Sequence, residues 1–186
     1  MTSAVGRHIH RYFLLNHPFF RTSADKHLKW IPFATVFFLD VFGLKTKSDW
    51  KKQVLIAGVT EAIRYTIADN LKKLTHEHRP APYIGNRSFP SGHASSSFAG
   101  AEFMHMELKN SLPALSWAGY VGAIATAIIR LMKNRHWLRD VVAGAVIGIA
   151  SVKLAYFLVE LNRKRKMSEF NPETSEEIMQ SINAES

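Results

Sequence analysis

Eight residues in three separated blocks have the types and spacing needed to cut a phosphate ester. Lys72 and Arg79 stand seven apart; Ser91, Gly92 and His93 follow Pro90; and Arg130 is followed six residues later by His136 and four after that by Asp140. A phosphoryl group spreads negative charge over its equatorial oxygens in the transition state, so fixed cations must surround it. Arginine can bind two of those oxygens with one planar fork, and lysine serves as a point charge. Lys72, Arg79 and Arg130 therefore form a natural clamp. Seven residues is close to two helical turns, so Lys72 and Arg79 are expected on one face of a helix that Pro80 ends.

The Pro-Ser-Gly-His block reads as a loop feeding a helix of small and apolar residues over 94–108. A helix N-terminus offers free backbone N–H groups to an anion, and Gly92 lets the backbone come close. Ser91 can add a hydroxyl. His93 then stands where it can protonate a departing alkoxide. If 137–161 is a helix, Asp140 lies one turn beyond His136 and accepts the proton on one imidazole nitrogen. The other nitrogen is left free to attack phosphorus in line. Two histidines, one nucleophile and one acid, suffice for hydrolysis through a phosphohistidine.

The ordered set Lys-x6-Arg-Pro, Pro-Ser-Gly-His and Arg-x5-His-x3-Asp resembles the type 2 phosphatidic acid phosphatase superfamily, over residues 72–161. The stretches SFPSGHASSSFAGAEFM and RHWLRDVVAGAVIGIASVKLAY are similar to short membrane lipid phosphatases common in Bacteroidetes. The resemblance implies an all-α bundle with the phosphatase/vanadium-haloperoxidase core. By that likeness Lys72, Arg79, Ser91, Gly92 and Arg130 match phosphate-binding positions, His93 the acid/base, His136 the nucleophile and Asp140 its orienting partner. The family usually carries a serine before the third-block arginine, where this chain has Ile129. That change bears on phosphate affinity and removes none of the acid, base or nucleophile groups.

These blocks need elements to hold them together. At 186 residues the chain is long enough for one core. It has no cysteine, so disulfides and thiol chemistry are excluded. Its 24 Lys plus Arg against 15 Asp plus Glu give a net charge of +9, which favours anionic partners. No zinc-type cluster or P-loop is present, and neither a metal nor another cofactor is implied. Apolar windows fall at 31–44, 54–67, 114–132 and 141–161, with a weaker one at 94–108. The mean hydropathy of −0.07 is low for a polytopic protein, and only the last two windows approach the roughly 20 residues a span needs. Glu61, Arg64 and Glu102 must then face the bundle interior, with Glu102 and Arg64 expected to pair.

Alternating these segments across a bilayer puts 72–93 and 130–140 on one side. The basic stretches 46–52, Lys109 and 162–166 fall on the other, which the positive-inside rule makes cytoplasmic. The expected organisation is an interfacial segment over 1–29, with an amphipathic helix near 10–20, a membrane domain over 30–166 and a polar, flexible tail over 167–186. Five membrane-embedded helices are expected, or six if the first segment inserts. The tail includes a possible short helix in SEEIMQSI. Nothing near the start reads as a cleavable signal.

Each block has a blander explanation: snorkelling lysines, a helix-cap histidine, a basic cluster at a membrane surface. Their joint order and spacing outweigh these. His76 and His78 are read as loop residues, because His-x-His alone does not make a metal site. Trp137 is read as an interface anchor or as packing near the pocket. The sequence therefore points to an inner-membrane hydrolase of a lipid phosphomonoester or diphosphate, its site facing the periplasm or exterior. Its partners are a phosphorylated lipid and the membrane, not nucleic acid, and its oligomeric state is not encoded legibly. Two alternatives stay open: a soluble or peripheral acid phosphatase or vanadium haloperoxidase-like enzyme, and a non-catalytic anion- or lipid-binding homologue.

Overall fold

A computed structural model describes residues 4–18 and 20–170, and among these every regular element is a helix. The helices are α1 (Ala4–Asn16), α2 (Ala24–Leu28), α3 (Ile31–Val41), α4 (Trp50–Thr75), α5 (Gly92–Leu108), α6 (Pro113–Met132) and α7 (Leu138–Phe170). Helix α5 is the axis of the bundle and packs against α3, α4, α6 and α7.

Small side chains explain why α5 can be so central. Ala94, Ser95, Ser96, Ser97, Ala99, Gly100 and Ala101 are all buried along it. The facing helix α7 brings Gly144 and Gly148, one turn apart, directly onto this strip. A Cβ built on Gly148 would lie 2.2 Å from the Ser95 carbonyl oxygen, and one on Gly144 2.6 Å from that of Ser91. The two backbones are therefore in contact, as in helix pairs built on small residues four apart. The seam joins the first turn of α5 to the second and third turns of α7, and so holds the end of α5 that carries His93 close against α7.

Farther along α5, an aromatic and aliphatic cluster replaces the small residues. Phe33, Val36, Ile56, Phe103, Leu108, Val152 and Tyr156 pack there, with Phe33 and Phe103 stacked at 5.1 Å between ring centroids. The outer surfaces are also apolar: Val121, Ile124 and Ile128 of α6, and Val142, Val146 and Phe157 of α7, are exposed. Polar residues such as Gln53, Thr60, Glu102, Glu107 and Thr126 lie inside. A soluble bundle sorts these classes the other way. Helices α6 and α7 are long and apolar enough to cross a membrane, and α3 is a shorter apolar helix.

Four local expectations are corrected. Helix α4 stops at Thr75, where His76 takes a left-handed conformation (φ 45°) and caps it. Arg79 therefore lies in the loop that follows, not on a helical face shared with Lys72. Glu102 and Arg64 do not pair. Arg64 bonds Glu61 one turn back on its own helix and donates to Ser95 Oγ at 3.1 Å. Glu102 instead accepts from Tyr120 on the adjacent α6. The N-terminal helix begins earlier than expected, at Ala4, and packs on α6 and α7. Helix α7 continues to Phe170, through the start of the expected tail, while SEEIMQSI lies outside the described residues.

Candidate active site

The up-and-down course of α4 to α7 returns all three sequence blocks to one end of the bundle. Lys72 sits in the last turn of α4 and its ammonium donates to the Pro90 carbonyl oxygen. Arg79 is carried by the loop over 76–91, which doubles back on itself. The Arg79 N–H donates to the Gly85 carbonyl at 3.0 Å, and Ser88 N–H to the Glu77 carbonyl at 2.9 Å. Gly85 adopts φ +144°, a backbone conformation that a side chain would strain, and so permits the return.

Ser91 is the N-cap of α5, its Oγ accepting the Ala94 N–H at 3.4 Å. It is fully buried, so its oxygen is engaged in starting the helix, a role the sequence reading did not assign. Its own N–H donates to the Asp140 carbonyl at 2.9 Å, stitching the start of α5 to that of α7. Gly92 is the first residue of α5 and His93 the second, its side chain half-buried.

Arg130 projects from the last turn of α6 and is only 8% exposed. Five residues of connection separate α6 from α7, and Asn134 makes the turn at φ 51°. His136 lies within this connection, 5% exposed. Its Nδ1 is 2.9 Å from the Ser88 carbonyl oxygen and 3.8 Å from Asp140 Oδ2. A carbonyl can only accept, so Nδ1 carries the proton and Nε2 is the free nitrogen. The expected Asp140 contact is thus the longer of the two. Asp140 Oδ2 instead accepts Ser88 Oγ at 2.6 Å and the Trp137 N–H at 2.9 Å, the latter closing the first turn of α7.

Burial lowers the pKa of His136 below the ordinary 6.5; the nearby Asp140 carboxylate opposes this, and the charge of Arg130 adds to it. The imidazole is therefore neutral at neutral pH, as a nucleophile must be. Arg79 is likewise lowered, first by burial and then by the charges of Arg130 and Arg135. Guanidinium groups stay protonated through such shifts, so the same end of the bundle concentrates positive charge on a small volume.

Two residues at this end carried no signal in the blocks. Ser88, fully buried, links His136 to Asp140 through both its carbonyl and its hydroxyl; its place just ahead of the Pro-Ser-Gly-His block was the only hint. Asp25 of α2, also fully buried, binds Arg130 and Lys133. Burial raises its pKa, but the bonds from Lys133 and Arg130 outweigh that and hold it below the usual carboxylate range. Trp137 packs beside the site: its indole N–H donates to the His78 carbonyl at 2.9 Å and its ring meets His10 edge-on at 5.1 Å. Lys72, Arg79, Ser91, Gly92, His93, Arg130, His136 and Asp140 are thus gathered at one end.

Comparison with known proteins agrees with this architecture. Residues 53–164 match the model of the PAP2 superfamily. The chain is 33% identical over 143 residues to a lipid A 1-phosphatase of Porphyromonas gingivalis, an alignment covering 76% of this chain and 32% of that protein. It is 34% identical over 84 residues to lipid phosphate phosphatase 1 of Arabidopsis thaliana, covering 39% of this chain and 25% of that one. This chain thus spans about a third or less of the length of these relatives. The crystal structure of Aquifex aeolicus LpxE superposes with a TM-score of 0.61 at 20% identity, covering 84% of this chain and 99% of that one. A transmembrane PAP2-type phosphatidylglycerolphosphate phosphatase from Bacillus subtilis gives 0.62 at 18% identity, covering 84% and 85%.

Proposed function

This chain belongs to the PAP2 superfamily, and from that premise we propose that it is a metal-independent phosphatase acting on a lipid phosphomonoester or diphosphate through a phosphohistidine. The observation that carries the reading is the Nδ1 bond of His136 to the Ser88 carbonyl. It presents an unprotonated Nε2 beside the cations Arg79 and Arg130, which both act on that ring.

Before substrate binds His93 is neutral, because burial and the Arg130 charge lower its pKa to about 4; beside the bound phosphate anion it takes up a proton. In the first step His136 Nε2 attacks phosphorus, the bond to the leaving oxygen breaks, and His93 gives that oxygen its proton. Lys72, Arg79 and Arg130, with backbone N–H groups around Ser91 and Gly92, hold the equatorial oxygens as charge develops. As phosphorus bonds to Nε2 the imidazole becomes cationic, and Ser88 and Asp140 stabilise that charge through Nδ1. In the second step His93, now neutral, takes a proton from water as the water oxygen attacks phosphorus. Inorganic phosphate leaves and His136 returns neutral. Each bond made is balanced by one broken, and no redox partner enters.

The names of the relatives point to lipid phosphates as the substrate class, and the outward apolar faces of α6 and α7 suit an enzyme that meets its substrate in a bilayer. The opposite end of the bundle carries Lys45, Lys47, Lys51 and Lys52 ahead of or on α4 and Arg163 to Lys166 on α7. We place that end in the cytoplasm and the site at the outer face of the inner membrane. The test is phosphate release by detergent-purified protein with EDTA present. The panel is phosphatidic acid, phosphatidylglycerophosphate, undecaprenyl diphosphate, lipid A and a soluble aryl phosphate. Release from a lipid, lost in His136→Ala and His93→Ala, is expected; release confined to the aryl ester would contradict a lipid substrate.

A further inference from the structure

Asp25 is an acidic residue in a strongly basic stretch. Arg7, Arg11, Arg21, Lys26 and Lys29 surround it in sequence, and it lies outside the residues matched by the family model. Yet it is fully buried at the phosphate end, and both its oxygens are used. Oδ2 accepts Arg130 Nη1 at 2.7 Å, and Oδ1 accepts Lys133 Nζ at 2.9 Å. Lys133 also donates to the Thr22 carbonyl at 2.8 Å, which ties the same lysine to the chain leading into α2. His93 Nε2 stands 4.0 Å from Oδ2.

The choice of guanidinium nitrogen matters. Arginine grips a two-oxygen anion best along one flat edge with two parallel N–H bonds. Asp25 takes Nη1, at the end of the fork away from Nε, while the buried Nε has no hydrogen-bond partner among the described residues. A carboxylate competing for the phosphate position would be expected on the Nε edge. One that steadies the arginine would hold Nη1 and leave that edge open, and this is the arrangement found.

We propose that Asp25 is a positioning residue of the phosphate site: it anchors Arg130 by Nη1, with Lys133 as the counter-tie, so that the Nε edge is presented to the phosphoryl oxygens. The short helix α2 thereby becomes part of the reaction machinery and not merely a strap over the bundle. The inference rests on the phosphatase reading above. Misplacing a binding group by about 1 Å can cost a hundredfold in rate, so loosening this anchor must show in anion binding.

The test uses the full chain in detergent and an aryl phosphate substrate. KM, kcat, the competitive inhibition constant of orthovanadate and the thermal midpoint are measured for wild type, Asp25→Asn, Asp25→Glu and Lys133→Gln. Asp25→Asn is expected to raise the vanadate constant about tenfold, with Asp25→Glu recovering part of the loss. Lys133→Gln loosens the same carboxylate without touching Arg130 and must shift vanadate in the same direction, so the proposal survives an Asp25→Asn chain that fails to fold. A purely structural role would lower the midpoint and the active fraction while leaving the vanadate constant unmoved, and would overturn the proposal. Tighter vanadate binding in Asp25→Asn would also overturn it, by making Asp25 a competitor. A wild-type chain that neither hydrolyses the ester nor binds vanadate would overturn the phosphatase reading itself, and the inference with it.

Discussion

His136 gives its Nδ1 proton to the backbone carbonyl of Ser88 at 2.9 Å, while the Asp140 carboxylate stands back at 3.8 Å. The tautomer is thus set by main chain and the charge is supplied by side chain. Where a carboxylate alone holds a catalytic histidine, replacing it by the amide costs about 10⁴ in rate because the wrong tautomer results. Here the carbonyl would keep the tautomer. Asp140→Asn is therefore expected to lower kcat only about 10- to 100-fold, with Ser88 and Trp137 still bonded to the amide oxygen. Steady-state kinetics on the substrate found active checks this; a loss near 10⁴ would mean that Asp140 sets the tautomer after all.

The same pair predicts a pH effect. Burial holds the pKa of His136 below 6.5, and the Asp140 charge works against that lowering. A nucleophile must be unprotonated, so the acid limb of kcat/KM should lie below pH 6.5 in the wild type. Removing the Asp140 charge removes an influence that raises the pKa. The limb in Asp140→Asn should therefore move to still lower pH. A profile measured with a substrate whose own phosphate ionisation is known separates the two titrations, and a shift toward higher pH would contradict the assignment.

Ser88 offers a graded test. Ser88→Ala keeps the carbonyl on His136 and deletes only the hydroxyl that bonds Asp140 at 2.6 Å. A buried carboxylate losing one donor costs about 1–3 kcal/mol. The expected outcome is a lower thermal midpoint with kcat reduced only about 3- to 10-fold, because the nucleophile keeps its proton partner. A loss as large as that of His136→Ala would place Ser88 itself in contact with the reacting atoms.

The seam between α5 and α7 predicts which glycines are indispensable. A methyl at Gly148 would stand 2.2 Å from the Ser95 carbonyl, a backbone atom that cannot swing aside, so Gly148→Ala should cost about 3 kcal/mol. Gly144→Ala would press on the Ser91 carbonyl, next to His93, and should lose activity as well as stability. Among the described residues, Gly122 of α6 has no atom of another element within 4 Å of such a methyl. Gly122→Ala should be neutral or stabilising, by up to about 1 kcal/mol. Thermal melting in detergent reads all three, and equal losses would refute the close-contact argument.

Much of this is legible in the sequence. The helices α5 and α6 follow from runs of small and apolar residues bounded by Gly92 and Pro113. The gathering of three distant blocks follows from successive helices that alternate in direction, so that the end of α4, the start of α5, the end of α6 and the start of α7 meet. What escaped did so for local reasons. Helix α4 ends because His76 turns left-handed, and nothing in Thr-His-Glu-His announces which residue will do so. Glu102 took Tyr120 in place of Arg64 because the partner depends on how α6 is rotated against α5, which periodicity alone does not determine. Asp25 was invisible because it joins the site from a separate segment, in a basic stretch where one carboxylate reads as an ordinary helix-cap residue. Ser88 acts chiefly through a carbonyl that every residue has.

The central claim is that phosphorus bonds to His136, and the direct measurement is to trap that bond. Detergent-purified wild type, mixed with the substrate that releases phosphate and quenched in alkali during turnover, would be digested and its peptides sequenced by mass spectrometry. The account predicts a phosphoryl group on His136 alone, absent from His136→Ala and accumulating in His93→Ala if the water step is slowed more than the first. Turnover with no phosphorylated peptide under these conditions, or a phosphoryl group on His93, would contradict it.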